Sequence, residues 1–454
     1  MVSFRFYTRA ALVCLAVALA SCSGSQSSLP YMQGGAPLRA LNGTGAGKIT
    51  HIVYIVQENR SFDNLFQGYP GADTVSSGKV SNGQTVKLTP ESLAAYYVID
   101  HSAQAMFAAC DGTGKLPGTK CRMDGFDREL TYRGPKGVQY PEYVYVPHNE
   151  SKPYFDMAHE GVLADRMFQS QLDESFVAHQ YVIAAQAASA VDLPYGPWGC
   201  EGSGDDKVAT ITKERSVNGP AEPACFDYQT LGDELDKAGL SWRFYASRYG
   251  SASSGTGGDW SSYQAVKHIY DGSDWKKVIT PNWKFITDVR KGKLANFTWI
   301  TPVCDDSDHV NCPNGYGPSW VTALVNTVGN SKFWDSTAIF IQWDDWGGLY
   351  DHVPPPYEGY DGVGFRIPLL VLSPYAKKNY VSHVQYETAS VLRFAEDLWG
   401  LNQLAAADKR ANSPGADCFD FSQPARPYVP VKAPLPPKFF MHQFKDDYFA
   451  PDYE

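Results

Sequence analysis

The sequence predicts an α/β fold, a three-layer sandwich in which a mostly parallel central sheet carries helices on both faces and irregular insertions around them. Three observations lead there. Short, mostly apolar runs recur at 51–57 (HIVYIVQ), 241–246, 297–300, 338–343 (AIFIQW) and 368–372, the pattern of strands buried on both faces. Stretches of helical length lie between and after them, at 176–188, 230–238, 320–328 and 387–398. Finally, polar residues crowd the ends of two runs, as Glu58-Asn59-Arg60-Ser61 and as Asp344-Asp345. Open α/β sheets bind ligands beyond the carboxyl ends of their strands, so these two places define the expected site.

Taken in order, the chain of 454 residues opens with Arg5, Arg9 and an apolar stretch at 10–20, too short to span a bilayer and typical of an export signal over 1–22. Its end, Leu19-Ala20-Ser21-Cys22, reads as a lipobox, which would lipidate Cys22 and anchor the protein to a membrane. The expected location is the periplasm or outer membrane as a lipoprotein, with secretion as the variant without the lipid. Residues 23–48 are rich in Ser, Gly and Pro and read as a tether. The main domain is expected over 49–454. Turn and aromatic residues without periodicity at 67–150 predict an insertion over the site, and a Ser/Gly-rich loop at 247–263 predicts a lid. A strand is expected at 164–169. Gly239 stops the helix at 230–238. Beyond Leu401 the Pro-rich, aromatic chain reads as an extended tail over the body.

A net charge of -10 without any basic run argues against a nucleic-acid partner. Three neighbouring cysteine pairs, Cys110 with Cys121, Cys200 with Cys225 and Cys304 with Cys312, offer short disulfide loops in an oxidising compartment, leaving Cys418 odd. Sequence does not fix that connectivity.

The doubled carboxylate Asp344-Asp345 at a buried strand end repels itself unless a cation intervenes, which points to a metal site. With Glu58 and Asn59, the donor set is rich in oxygen and favours calcium, magnesium or manganese, while zinc stays open. Ser175 precedes an apolar stretch. Locally it is either a helix N-cap or a hydroxyl aimed at an anion on the helix N-terminus.

E-N-R-S-F-D (58–63) together with W-D-D-W-G-G-L-Y-D-H-V-P-P-P (343–356) resembles the bacterial phosphoesterase family of acid phosphatases and phospholipases C, in the alkaline-phosphatase-like superfamily. Further marks follow in family order: M-D-G-F (123–126), L-D-K-A-G-L-S-W-R-F-Y (235–245), F-T-W-I-T-P (297–302), G-F-R-I-P-L-L-V-L-S-P (364–374) and S-V-L-R-F-A-E-D-L-W-G-L (390–401). The resemblance thus covers 51–401.

It implies an alkaline-phosphatase-like sandwich that hydrolyses a phosphoester, either a phosphomonoester or a phospholipid head group, with a divalent metal. Ser175 becomes the implied nucleophile. Glu58, Asn59, Asp344 and Asp345 become metal ligands, Asn59, His101 and His179 phosphate contacts, and His309 and His352 catalytic histidines. Relatives commonly follow the nucleophile with P-N-R. Here Val177-Ala178-His179-Gln180 stands there, so His179 either replaces a phosphate-contacting Asn or only decorates the helix. His148 and His383 are weaker candidates, and His51, His159, His268 and His442 read as structural. The rival reading is a non-catalytic phosphate-binding surface lipoprotein. A sulfatase reading lacks its C-x-P-S-R or C-x-A-S-R signal.

Overall fold

Strand β1, His51–Gln57, runs through the middle of the protein, and its side chains alternate between two separate cores. Ile52, Tyr54 and Val56 join one apolar cluster, while Val53 and Ile55 join the other. A strand of period two with apolar residues on both sides can only sit between two covering layers. The computed structural model describes residues 45–194, 199–201, 206–247, 260–312 and 314–442. The expected export signal with its lipobox, nearly all of the tether and residues 248–259 of the expected lid lie outside them.

Seven more strands complete the main sheet: β2 Val162–Ala164, β3 Trp242–Tyr245, β4 Val278–Ile279, β5 Phe297–Ile300, β6 Thr337–Trp343, β7 Leu369–Leu372 and β8 Tyr380–Ser382. Their order is β4-β3-β5-β1-β6-β7-β2-β8. β7 alone runs antiparallel to both neighbours, β6 and β2. The β1/β6 register sets Gln57 opposite Trp343. One residue further, Glu58 and Asp344 therefore leave the sheet side by side.

Helices α1 Phe62–Phe66, α2 His148–Glu160, α3 Ser175–Ala184, α4 Leu231–Lys237, α5 Gly317–Gly329 and α6 Ala389–Trp399 cover the sheet. α1, α2 and α5 contribute Phe62, Leu65, Tyr154, Met157 and Trp320 to the Val53 side. α3, α4 and α6 contribute Phe176, Tyr181, Leu231, Leu235 and Leu392 to the Ile52 side. Thr230 caps α4 in a capping box with Asp233, which explains why the helix starts where the threonine stands.

Three elements depart from expectation. The strand expected at 164–169 is split into β2 and a separate Met167–Phe168 pairing with Tyr386–Glu387, because Asp165 turns aside to accept from the Asp73 N–H and His383. α3 stops at Ala184 rather than 188, where Ala185 adopts a left-handed conformation and its N–H closes onto the Tyr181 carbonyl. The tail after Leu401 is not wholly extended, since it forms Ala406–Arg410 and Pro437–Phe440 helices.

The stretch 67–150 contains two antiparallel ribbons, Ser77–Lys79 with Thr85–Lys87 and Val98–Ile99 with Thr131–Arg133, beside a helix at Ala103–Cys110. All three suggested disulfides are formed, and Cys418 is a buried free thiol. No described helix is long and apolar enough to cross a membrane.

Candidate active site

The site is built where β1 and β6 end. The Asp344 N–H bonds the Gln57 carbonyl at 2.9 Å, prolonging the ladder by one residue. Past it the chain must turn at once. Gly347 has φ +61°, and a Cβ there would stand 2.5 Å from the Asn59 carbonyl oxygen, so the turn requires glycine. The Asn59 N–H donates to Asp344 Oδ1 at 3.0 Å and the Gly347 N–H to Asp345 Oδ1 at 2.8 Å, fixing both carboxylates.

Ser175 arrives from the adjoining layer. It is the first residue of α3, after an extended Glu174 at the cap position, so its hydroxyl does not serve as the N-cap. Asp173 shapes that approach, with Oδ1 accepting from the Glu174 N–H and Oδ2 from the Asp192 N–H, each at 2.9 Å. Burial, aided by the nearby Asp192 charge, pushes the Asp173 carboxyl up to about 7. The outcome is a short triangle around the hydroxyl. Ser175 Oγ lies 3.2 Å from Asp345 Oδ2, 3.5 Å from Glu58 Oε2 and 3.3 Å from Asn59 Nδ2.

Asn59 Nδ2 also faces Asp345 Oδ2 at 2.9 Å and His101 Nε2 at 3.1 Å. His179, one turn along α3 from Ser175, sets Nε2 3.1 Å from Glu58 Oε1 and 3.7 Å from Asp344 Oδ2. Glu58, Asn59, Ser175, His179, Asp344 and Asp345 are all fully buried. Glu58, His179 and Asp344 present ligand atoms within 4.8 Å of one another. Asp344 Oδ2 and Asn59 Oδ1 accept no hydrogen bond from any described residue. A buried carboxylate oxygen and amide oxygen left in that state are costly, and a divalent cation is a group that relieves both. The residues present therefore fit a metal.

Two histidines flank this centre in different tautomeric settings. His101 Nδ1 donates to the Ile99 carbonyl at 3.0 Å, which leaves Nε2 as the nitrogen facing Asn59. His309 is carried on a loop tied to β1: Gln57 Oε1 accepts from the Asp308 N–H at 3.1 Å, and Asp308 Oδ2 accepts from Tyr154 and Trp343 at 2.7 and 3.0 Å. Burial pushes Asp308 up to about 6. Sequence reading missed Trp260, whose ring stacks near-parallel on both His179 and His309 at 6.5 and 6.1 Å. Its only sequence signal was an aromatic residue closing the Ser/Gly-rich run.

His352, expected beside the phosphoryl group, stands elsewhere. Its Nδ1 donates to Asp63 Oδ2 at 2.6 Å and its Nε2 to Asp73 Oδ1 at 3.1 Å, and no contact among the described residues links it to Ser175. Burial opposes its charge, but Asp63 and Asp351 outweigh that and hold the imidazole above its usual pKa. This second cluster also has metal-like spacing. It is already filled. Buried Arg366 reaches Asp351 at 3.0 Å and Asp63 at 3.3 Å, and burial pushes Asp351 up to about 6 against that guanidinium. An arginine in the space and carboxylate oxygens that all have partners make this an ion-paired clasp, not a cation site. Of the weaker histidines, His148 bonds the Gln67 carbonyl and His383 bonds Asp165.

Fold and site together define an α/β protein with a buried, carboxylate-rich candidate metal centre and a serine hydroxyl at a helix start. Residues 49–402 match the Phosphoesterase family, and the chain belongs to it. It is 24% identical over 439 residues to a non-hemolytic phospholipase C of Burkholderia pseudomallei, covering 84% of this chain and 60% of that protein. It is 26% identical over 399 residues to non-specific phospholipase C1 of Arabidopsis thaliana, covering 78% of this chain and 68% of that one. This chain thus spans about three fifths of the length of the Burkholderia relative. Among solved structures, an alkaline phosphatase superfamily protein of Vibrio parahaemolyticus matches with a TM-score of 0.38 at 10% identity, over 83% of this chain and 71% of that one.

Proposed function

We propose that this chain hydrolyses phosphoesters through Ser175 with a divalent metal, and that its substrates are phospholipid head-group esters of the phospholipase C type. The observation that carries the reading is the position of Ser175 Oγ, 3.2 Å from Asp345 and 3.3 Å from Asn59 at the start of a buried helix. Family membership and the named phospholipase C relatives support the substrate class.

A divalent ion held by Glu58, Asn59, Asp344 and Asp345 would supply charge neutralisation and a lowered hydroxyl pKa. The chain's own groups do the rest. Ser175 passes its proton to Asp345 Oδ2 as Oγ bonds phosphorus and the phosphorus–alkoxide bond breaks. Asn59 Nδ2 orients the hydroxyl by donating to it, and the N-terminal amides of α3 face the phosphoryl oxygens. His101 as imidazolium gives its Nε2 proton to the departing alkoxide and returns to the tautomer that Ile99 selects. Water then attacks the phosphoserine, giving a proton to His101, and as the phosphorus–Oγ bond breaks Ser175 takes back the proton held on Asp345 Oδ2. His309 contributes a hydrogen bond to the developing charge. His352 holds the clasp and takes no part.

The three disulfides favour an oxidising compartment, in keeping with the export signal and Cys22 lipidation read from sequence. Metabolic labelling with a radioactive fatty acid, lost in Cys22→Ser, tests the anchor. The function is tested by p-nitrophenol release from p-nitrophenyl phosphorylcholine and p-nitrophenyl phosphate, with and without EDTA, beside Ser175→Ala. Metal-dependent turnover of the choline ester that Ser175→Ala abolishes is expected. Preference for the monoester would make the protein a phosphatase. Tight phosphate binding without turnover would make it a binding lipoprotein.

A further inference from the structure

His179 is the residue for which sequence left two roles, and its surroundings favour neither. We propose that His179 is a direct ligand of the metal through Nε2, and that the centre therefore selects a first-row transition ion such as manganese, iron(II), cobalt or zinc over calcium and magnesium. The inference rests on the metal-dependent reading of the site and narrows it.

The geometry is that of a ligand. His179 Nε2 approaches Glu58 Oε1 at 3.1 Å and Asp344 Oδ2 at 3.7 Å, and the three atoms fit around one ion. Asp344 Oδ2 is buried and accepts no hydrogen bond from any described residue, so His179 does not already satisfy it. The second carboxylate–histidine cluster is the internal contrast. There His352 makes a 2.6 Å bond to Asp63 while Arg366 supplies the positive charge. No guanidinium or ammonium is paired with Asp344 among the described residues. A phosphate contact is the poorer alternative: two carboxylates against one imidazole nitrogen repel an anion and attract a cation.

Helix spacing explains how both roles fit on one element. His179 follows Ser175 by four residues, so both project from the same face of α3. Trp260 lies parallel to the imidazole with centroids 6.5 Å apart, which restrains the ring plane. Calcium prefers six to eight oxygen ligands and magnesium keeps water and oxygen, whereas imidazole suits the transition ions.

The test uses the folded chain, stripped of metal and reloaded with manganese(II), and reads pulsed-EPR modulation from directly bound nitrogen. Wild type labelled with 15N-histidine is expected to show coupling to that label, and His179→Gln to lose it while His101→Gln keeps it. Calorimetric titration should show affinity for manganese or zinc reduced by roughly 10- to 100-fold in His179→Gln, with calcium affinity changed by less than about 3-fold. Absence of labelled-nitrogen coupling in manganese-bound wild type overturns the proposal without needing any variant. So does coupling that survives in His179→Gln, or calcium affinity that falls as far as zinc affinity. Hydrolysis by a manganese-bound enzyme without nitrogen coupling would sink this inference alone. Nitrogen coupling without hydrolysis would sink the phosphoesterase reading instead.

Discussion

Asn59 Nδ2 stands 3.3 Å from Ser175 Oγ although 116 residues separate the two. The same amide meets Asp345 at 2.9 Å and His101 at 3.1 Å, so one side chain joins β1, β6, α3 and the ribbon that carries His101. Asn59 holds this place with φ +46°, a left-handed conformation that asparagine tolerates better than most residues. The amide and the backbone conformation are thus two separable demands on one position.

Asn59→Gly keeps the second and removes the first. A drop in kcat of about 10²- to 10³-fold is expected, the usual effect of deleting one oriented donor at a reacting centre. Thermal unfolding should move little, because glycine accepts the left-handed conformation. A variant that loses stability in step with activity would show Asn59 to be structural.

His101 and His309 differ in tautomer, since His101 Nδ1 donates to the Ile99 carbonyl whereas His309 Nδ1 accepts from the Asn311 N–H. If His101 protonates the departing alkoxide, His101→Gln should slow phenyl phosphorylcholine far more than p-nitrophenyl phosphorylcholine, since a good leaving group needs no acid. General-acid catalysis is worth about 10²- to 10⁴-fold. The gap between the two substrates is the measurement. His309→Gln should slow both substrates alike, and the reverse pattern would exchange the two roles.

The central sheet was legible because β1 and β6 are mostly apolar runs, and the two halves of the site because carboxylates follow them directly. The pairing of Glu58 with Asp344 then follows from register. The direction of β7 was not legible, since four apolar residues carry no sign of which way they run. His352 misled for a different reason. It lies only seven residues beyond Asp345, but the Gly347-Gly348 turn carries the chain to Asp63, and that contact depends on where α1 packs. His179 was visible at helical spacing from Ser175, yet its pairing with Glu58 exists only once α3 lies across the end of β1.

The clasp around Arg366 makes a stability prediction. Its guanidinium bonds Asp351, Asp63 and the carbonyls of Asp73 and Asp165, and lies 4.4 Å over the Phe62 ring. Arg366→Met leaves two buried carboxylates facing each other, which costs about 3–5 kcal/mol. Differential scanning calorimetry should record that loss, and adding Asp351→Asn should recover part of it. A loss below about 1 kcal/mol would mean that the clasp is not stabilising.

Glu396 gives the pH dependence its clearest test. It is buried on α6, and burial together with the neighbouring Asp408 carboxylate pushes it up to about 9. In the unfolded chain a glutamate titrates near its ordinary value, about 4.3. The folded state therefore binds the extra proton between those limits. The stability this group contributes is complete at acidic pH and falls as pH rises through about 9. Glu396→Gln copies the protonated carboxyl without its titration. The unfolding temperature of the variant should match wild type near pH 5 and exceed it increasingly from pH 7 to pH 9. Parallel curves across that range would place the proton elsewhere, and a variant less stable at every pH would mean that the carboxyl is ionised in the fold.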